Sequence, residues 1–183
     1  MITLSRIERT ALAHGWHRLL EDVLSNGRPV DLPIRMRLAQ SETLHVISAA
    51  FALQRVCELS YAVCPLAMAL CDDLLYAQGD DGSFGSVAAT SVVARALLDL
   101  RHMPGSQAVT ARIDFAIDHA MHGLALSQDE DGLLDGCEID SAIALWQLGG
   151  RSEFTGAVRL DELEQALGCS RWQCLAARAA VAA

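Results

Sequence analysis

The sequence predicts an all-α protein built from helical hairpins of about 50 residues, and three observations lead to this prediction. Apolar residues recur with helical spacing in eight segments. No run of alternating β-branched and polar residues is long enough to predict a sheet. The pattern Leu-x-x-x-Gln-x-x-Asp-Gly begins at Leu74 and again at Leu124, fifty positions later without a gap.

The predicted helices follow from periodicity and from residues that favour helix ends. Proline suits a first helical turn, where its missing N–H is harmless, and two segments begin at Pro33 and Pro65. Glycine suits the ends of helices, and Gly79, Gly149 and Gly168 follow predicted helices. In order, the helices are predicted at 4–24, 33–59, 65–78, 90–101, 107–127, 140–148, 160–167 and 171–181.

The repeat divides one predicted domain, residues 1–183, into similar units. They span approximately residues 5–58, 59–105 and 106–150, followed by a C-terminal helical cap at 151–183. Beyond the shared turn, the second and third units also match at Ser91 and Ser141, Ala94 and Ala144, and Leu98 and Leu148. The first unit is degenerate and keeps only Leu24, Asp31 and Ser41.

Composition and charge exclude several classes of function. All 14 basic residues are arginine, which excludes a P-loop, a pyridoxal Schiff base and a Ser-Lys dyad. The net charge of −9 repels phosphate backbones, so we expect no nucleic-acid partner. There is no signal-peptide pattern, no apolar run of membrane-spanning length and no C-x-x-C pair among the cysteines. We therefore expect a cytoplasmic protein without membrane insertion.

At the repeated turn the sequence resembles the terpenoid cyclase and protein prenyltransferase superfamily, which includes the squalene cyclases. The family's QW pattern, Leu-x3-Gln followed by Gly-x-Trp or Phe, is matched by Leu74, Gln78, Gly82 and Phe84. It is matched again by Leu124, Gln128 and Gly132, with Leu134 at the aromatic position. The resemblance covers roughly residues 66–150 and implies alternating inner and outer helices, here as a partial α/α-toroid of three hairpins.

The turn residues also have a structural interpretation. A glutamine at the end of an outer helix is able to bond free carbonyl groups and the backbone of the next repeat, as we expect of Gln78 and Gln128. In the dipeptides at 81–82 and 131–132, we expect the aspartate to accept backbone N–H groups and the glycine to adopt a positive φ.

Acidic residues at the start of the third inner helix are candidates for catalysis. The resemblance extends to the D-x-D-D-T-like motif of class II terpenoid cyclases, which implies catalytic roles for Glu138 and Asp140. Alkene protonation needs a carboxylic acid kept neutral by burial and by a partner carboxyl. Ser141 replaces an acid of that motif, and helix capping is the alternative interpretation.

Zinc is a second interpretation of the same segment. Prenyltransferase β subunits carry a D-x-C motif before an inner helix, and it binds zinc together with a distant histidine. The resemblance implies Asp135 and Cys137 as the metal ligands here, but no histidine follows His122.

Calcium is a third interpretation, because residues 127–138 loosely fit an EF-hand loop. Ser127 stands at the first ligand position, and the other copy of the turn has Gly79 and Ala88 where ligands are required. The shared turn therefore explains these residues better, and we expect no cofactor, with zinc and calcium left as alternatives. Asp114, Asp118 and His122 form a helical stripe that is typical of a solvated face.

Two functions of different classes follow. The first is a non-catalytic binding or assembly module whose apolar inner face is covered by oligomerisation, a protein partner or a hydrophobic ligand. The mean hydropathy of +0.26 favours it. The alternative is a small enzyme or carrier for an isoprenoid-like substrate, in a cavity lined by Phe51, Val93, Leu97 and Trp146. Convergence of the acidic residues on an enclosed cavity would favour the enzyme.

Overall fold

The computed structural model describes residues 43–149, 151, 154 and 158–167, and these residues form helices and connecting turns. The helices are α1 (Leu44–Leu59), α2 (Pro65–Tyr76), α3 (Val87–Arg101), a 3-10 turn (Ser106–Ala108), α4 (Thr110–Ser127), α5 (Glu138–Leu148) and α6 (Leu160–Ala166). An isolated β-bridge pairs Gln128 with Leu134. The prediction of an all-α fold is confirmed. None of these helices is long and apolar enough to cross a membrane.

The predicted helix boundaries agree closely with the structure wherever the two are comparable. The largest differences are at the starts of α3 and α4, which the sequence predicts at residues 90 and 107. α3 begins earlier because Ser86 caps it: the Ser86 Oγ accepts a hydrogen bond from the Ala89 N–H at 3.1 Å. The predicted helices at 4–24 and 171–181, and the start of the one at 33–59, lie outside the described residues.

The helices pack in two rows. α1 packs on α3 and α3 packs on α5, and we call these three helices the inner row. α2 packs mainly against α1, α4 against α3 and α6 against α5, and we call these the outer row. α3 is at the centre of the core: 12 of its 15 residues are buried, against 6 of 18 in α4. Several of the buried α3 residues are alanines, whose small side chains allow neighbouring helices to approach closely.

Candidate functional site

The first Asp-Gly turn is held by the side chain of the glutamine that precedes it. The Gln78 Nε2 donates to the carbonyl oxygen of Gly82 at 3.0 Å and to that of Ala116, in α4, at 2.9 Å. The Asp81 Oδ1 accepts the Ser83 N–H at 2.9 Å, and this backbone hydrogen bond is the main reason that the pKa of Asp81 is lowered. Gln78 therefore ties its own turn to the next outer helix, as predicted.

The second turn repeats these bonds. The Gln128 Nε2 donates to the carbonyl oxygens of Gly132 at 2.9 Å and of Arg159, just before α6, at 3.0 Å. The carboxylate that accepts a backbone N–H in this turn is that of Asp129, whose Oδ1 accepts the Leu133 N–H at 2.9 Å. The prediction assigned this role to the aspartate of the 131–132 dipeptide, and it is wrong for this turn.

Close packing explains why both turns need glycine. Gly82 has φ of +80° and Gly132 has φ of +89°, in the left-handed region that favours glycine. A Cβ atom on Gly82 would overlap the His119 carbonyl oxygen, and one on Gly132 would lie 2.9 Å from the Glu162 carbonyl oxygen. The turns are thus sites where the next outer helix lies directly against the backbone.

The connection from each turn to its inner helix differs by one residue. The Phe84 N–H donates to the Thr90 Oγ1 at 3.0 Å, and the Leu134 N–H donates to the Ser141 Oγ at 2.9 Å. Thr90, rather than Ser91, is therefore the counterpart of Ser141. The ungapped match at Ser91 in the sequence comparison does not describe this contact.

The two predicted catalytic carboxylates lie in different environments. Glu138 is the first residue of α5 and is exposed, whereas Asp140 is buried with 4% of its surface accessible. Both lie in the first turn of α5, where acidic groups interact favourably with the helix dipole. The structure therefore encloses one of the two candidate acids.

The predicted metal ligands lie just before α5. Asp135 is exposed and has φ of +50°, and Cys137 is half-buried at the residue that precedes the helix. Among the described residues, no group of three or more histidine, cysteine, aspartate or glutamate side chains is arranged to hold a metal ion. The third ligand that zinc would require is thus not provided by this part of the chain.

The four predicted ligand-lining residues pack as core. Val93 and Leu97 have no accessible surface, and Phe51 and Trp146 retain 3% and 8%. The Phe51 and Trp146 rings have centroids 6.2 Å apart, within the range of favourable aromatic contacts. Because Phe51 lies in α1 and Trp146 in α5, this contact connects the first and last helices of the inner row.

Polar side chains also connect the three inner helices, and the sequence analysis did not predict these contacts. The Gln54 Nε2 lies within hydrogen-bond distance of the Val92 carbonyl oxygen, at 3.4 Å, and of the Gln147 Oε1, at 3.3 Å. Gln54 therefore connects α1 to both of the other inner helices.

A charged cluster continues from this junction. The Arg95 Nε lies 3.0 Å from both carboxylate oxygens of Asp99, and its Nη1 donates to the Gln147 carbonyl oxygen at 3.3 Å. The Arg151 Nη2 lies 3.9 Å from the Asp99 Oδ1. Burial raises the pKa of Asp99 and outweighs the opposing effect of the two arginines. The sequence signal was present, since Arg95 and Asp99 are the charged residues of the otherwise uncharged segment 87–100.

An open groove of about 400 Å³ lies between the first turn and the C-terminal end of α4. Its carboxylates are Asp81 and Asp135, and Leu126 adds an apolar wall. It is lined by Asp81, Ser83, Gly85, Ser86, Val87, Thr90, Gly123, Leu124, Leu126, Ser127 and Asp135. None of its lining residues in the described part of the chain is a histidine or cysteine, so these residues form no Ser-His or Cys-His pair for nucleophilic catalysis.

The hydroxyl groups of the groove are engaged in local structure. The Thr90 Oγ1 donates to the Ser86 carbonyl oxygen at 2.7 Å, and the Ser127 Oγ donates to the Leu124 carbonyl oxygen at 2.9 Å. These bonds stabilise the start of α3 and the end of α4. Of the predicted site residues, only Asp135 lines the groove.

Two cysteines of the first hairpin, Cys57 and Cys71, are poor nucleophiles. Burial is the main reason that the pKa of Cys57 rises to about 12 and that of Cys71 to about 11. A thiol with so high a pKa is protonated at neutral pH, and the thiolate is the reactive species. Both cysteines therefore act as small apolar residues, Cys71 fully buried and Cys57 half-buried.

No protein-family model, curated protein or solved structure matches the chain. The resemblance at the repeated turn therefore rests on the residues of this sequence.

Proposed function

We propose that this chain is a non-catalytic helical-repeat module of the prenyltransferase and terpenoid-cyclase type, and that it binds or assembles through its outer surface. The contact between Phe51 and Trp146 carries the proposal. In a partial toroid, these two rings lie where a hydrophobic ligand would lie between the inner helices. Here that space is filled by the chain's own side chains.

The position of the acidic candidates also supports a module. Protonation of an alkene requires an acid in an enclosed site from which water is excluded. Glu138 and Asp135 are exposed, and the groove that Asp135 lines is open to solvent. The exposure of these two side chains favours surface recognition over acid catalysis.

Exposed apolar side chains mark the surface through which the module would bind. Tyr76 in α2 is 93% exposed, and Phe115 and Leu126 in α4 are 69% and 74% exposed. All three belong to the outer row, whereas the apolar residues of the inner row are mostly buried. Large exposed apolar groups are typical of interaction surfaces when they lie together.

Size-exclusion chromatography with light scattering, combined with native mass spectrometry, tests the proposal on protein purified without added ligand. We expect the mass of the polypeptide or of its oligomers, with no additional bound mass. A monomer that retains a lipid-sized mass would contradict the proposal and would indicate a cavity for a hydrophobic ligand.

A small enzyme or carrier for an isoprenoid-like substrate is the second candidate, and the burial of Asp140 favours it. This carboxyl lies at the helix start where the resemblance implies a catalytic acid. Under this candidate, isoprenoid alcohols and diphosphates incubated with the protein would be converted to products detectable by mass spectrometry. Asp140→Asn would abolish the conversion, and Glu130→Gln, at an exposed turn position, would leave it unchanged.

A further inference from the structure

The exposed face of α4 carries large apolar residues at a regular spacing, which a solvated helix face does not require. The helix buries Ile113, Ala116, Ile117, Ala120, Met121 and Leu124. Phe115 and Leu126 lie on the opposite side and are 69% and 74% exposed. They are eleven residues apart, which is about three helical turns, or about 16 Å along the axis.

The two apolar residues belong to a longer stripe with alternating spacings of three and four residues, which we call the α4 seam. The α4 seam consists of Arg112, Phe115, His119, His122 and Leu126, all of which lie in α4. An acidic turn, residues 129–131, follows the C-terminal end of the seam, and its Glu130 and Asp131 are exposed. This alternation is the spacing of the a and d positions of a coiled coil.

The α4 seam is complementary to itself when it is read in opposite directions. In an antiparallel pair of seams, Phe115 lies opposite Leu126 and His119 opposite His122, and Arg112 of each copy lies beside the acidic turn of the other. A parallel pair would instead place arginine beside arginine and one acidic turn beside the other. The charges therefore favour the antiparallel arrangement, in which each copy presents the same surface to the other, as in an isologous two-fold interface.

We propose that two copies of this chain associate through their α4 seams in an antiparallel, two-fold dimer. The inference rests on the proposed function, because it names the partner of the assembly module. Phe115 of each copy covers Leu126 of the other, and each interface has two such contacts. The histidines at the centre pair as donor and acceptor, and polar groups in a seam fix its register.

The ion pair that Arg112 makes within its own chain is compatible with a contact between Arg112 and the second copy. Its Nη1 lies 2.9 Å from the Asp72 Oδ1, and both side chains are more than half exposed. Exposed ion pairs contribute little, about 0–1 kcal/mol, so Arg112 is able to turn toward the second copy. Asp72 lies in α2, which also carries Tyr76, and Tyr76 is 93% exposed.

The expected affinity is modest. A contact built mainly from two helices lies near or below about 1,200 Å², the low end of specific interfaces. We therefore expect a dimer that dissociates on dilution through the micromolar range.

Sedimentation equilibrium over a concentration series, with the full chain, tests the surface. Phe115→Glu and Leu126→Glu should each weaken dimerisation at least tenfold, because each places a charge in an apolar contact. Tyr61→Glu is the matched control, because Tyr61 is 99% exposed and lies in the loop between α1 and α2. Circular dichroism should show unchanged helicity in all three variants. A dimer that both α4 variants leave intact would overturn the inference and leave the proposed function standing.

Cysteine cross-linking tests the orientation. The double variant Phe115→Cys with Leu126→Cys should form an intermolecular disulfide under mild oxidation, at a level above that of the unsubstituted protein. Phe115→Cys alone should not, because its sulfur faces Leu126 of the other copy. Cross-linking through the single variant, or a monomer at every concentration, would overturn the inference. A retained lipid-sized mass would contradict the proposed function itself, so the two failures are distinguishable.

Discussion

The Phe51 and Trp146 rings meet with their centroids 6.2 Å apart and connect the first and last helices of the inner row. Both residues are more than nine-tenths buried. α3 lies in the core between these two helices, and its Val93 and Leu97 have no accessible surface. In this structure the residues predicted to line a ligand cavity form part of the core.

Truncation of either ring should strongly destabilise the protein. We expect Phe51→Ala and Trp146→Ala each to lower the free energy of unfolding by about 3–5 kcal/mol, because each removes a large buried aromatic group. The double variant should show a coupling of about 0.5–1.5 kcal/mol from the ring contact. Urea denaturation measures all three values. Losses below about 1 kcal/mol would mean that the rings border open space.

Gln78 and Gln128 should contribute more to the free energy of unfolding than an exposed glutamine does. Gln78→Ala and Gln128→Ala each leave two backbone carbonyl groups without the side-chain amide, and we expect a loss of about 1–3 kcal/mol. Gln107→Ala is the matched control, because Gln107 is exposed in the 3-10 turn, and it should change stability by less than about 0.5 kcal/mol. Equal effects in thermal or urea unfolding would show that the turn bonds contribute nothing specific.

Gly82 should tolerate a side chain far less well than Gly105. Both have a positive φ, so alanine introduces backbone strain of about 1 kcal/mol at either position. At Gly82 the new Cβ would also overlap the His119 carbonyl oxygen, whereas at Gly105 the nearest atom is 3.8 Å away. We expect Gly82→Ala to lower the melting temperature several degrees more than Gly105→Ala does. Similar melting temperatures would contradict the close approach of α4 to the turn.

Asp99 and Asp81 should contribute to the pH dependence of stability with opposite signs. Burial raises the pKa of Asp99, so the folded chain holds this proton more tightly than the unfolded chain does. Wild-type stability should therefore fall, relative to Asp99→Asn, as the pH rises above about 4, the ordinary pKa of aspartate. The backbone N–H of Ser83 lowers the pKa of Asp81. Relative to Asp81→Asn, stability should instead rise as the pH approaches about 4 from below.

Urea denaturation at a series of pH values measures both differences. Subtraction of each variant removes the contributions of the other titrating groups. Slopes of the same sign for the two comparisons would contradict the assignment of burial as the dominant effect at Asp99.

The helices and the repeated turn were predictable because local rules determine them. Helical periodicity and a proline in the first turn predict α2, and the repeated glutamine before an Asp-Gly turn predicts the side-chain hydrogen bonds of Gln78 and Gln128. The carboxylate that accepts the Leu133 N–H in the second turn was not predictable. Both Asp129 and Asp131 are close to this N–H in sequence, and the backbone conformation decides that Asp129 accepts it.

The environment of the candidate site was less predictable because it depends on how the three inner helices pack against one another. Periodicity assigns Phe51 and Trp146 to apolar helix faces, but it does not determine whether those faces meet or enclose a cavity. The ion pair of Arg95 with Asp99 has the i, i+4 spacing of a solvated helix pair. Its burial follows from the approach of Gln147 in α5, which sequence spacing does not specify.

The fluorescence of Trp146 during titration with farnesol, an isoprenoid alcohol, tests the central claim most directly. Trp16→Phe and Trp172→Phe leave Trp146 as the reporter in the full chain. Phe51→Ala in this background, titrated with benzene, is the positive control, because removal of the ring opens a benzene-sized apolar cavity beside Trp146. If the space between the inner helices is filled, benzene should change the emission of the Phe51→Ala protein, and farnesol should leave that of the Phe51 protein unchanged. A saturable change with Phe51 in place would contradict the account and show that the inner helices hold a hydrophobic ligand.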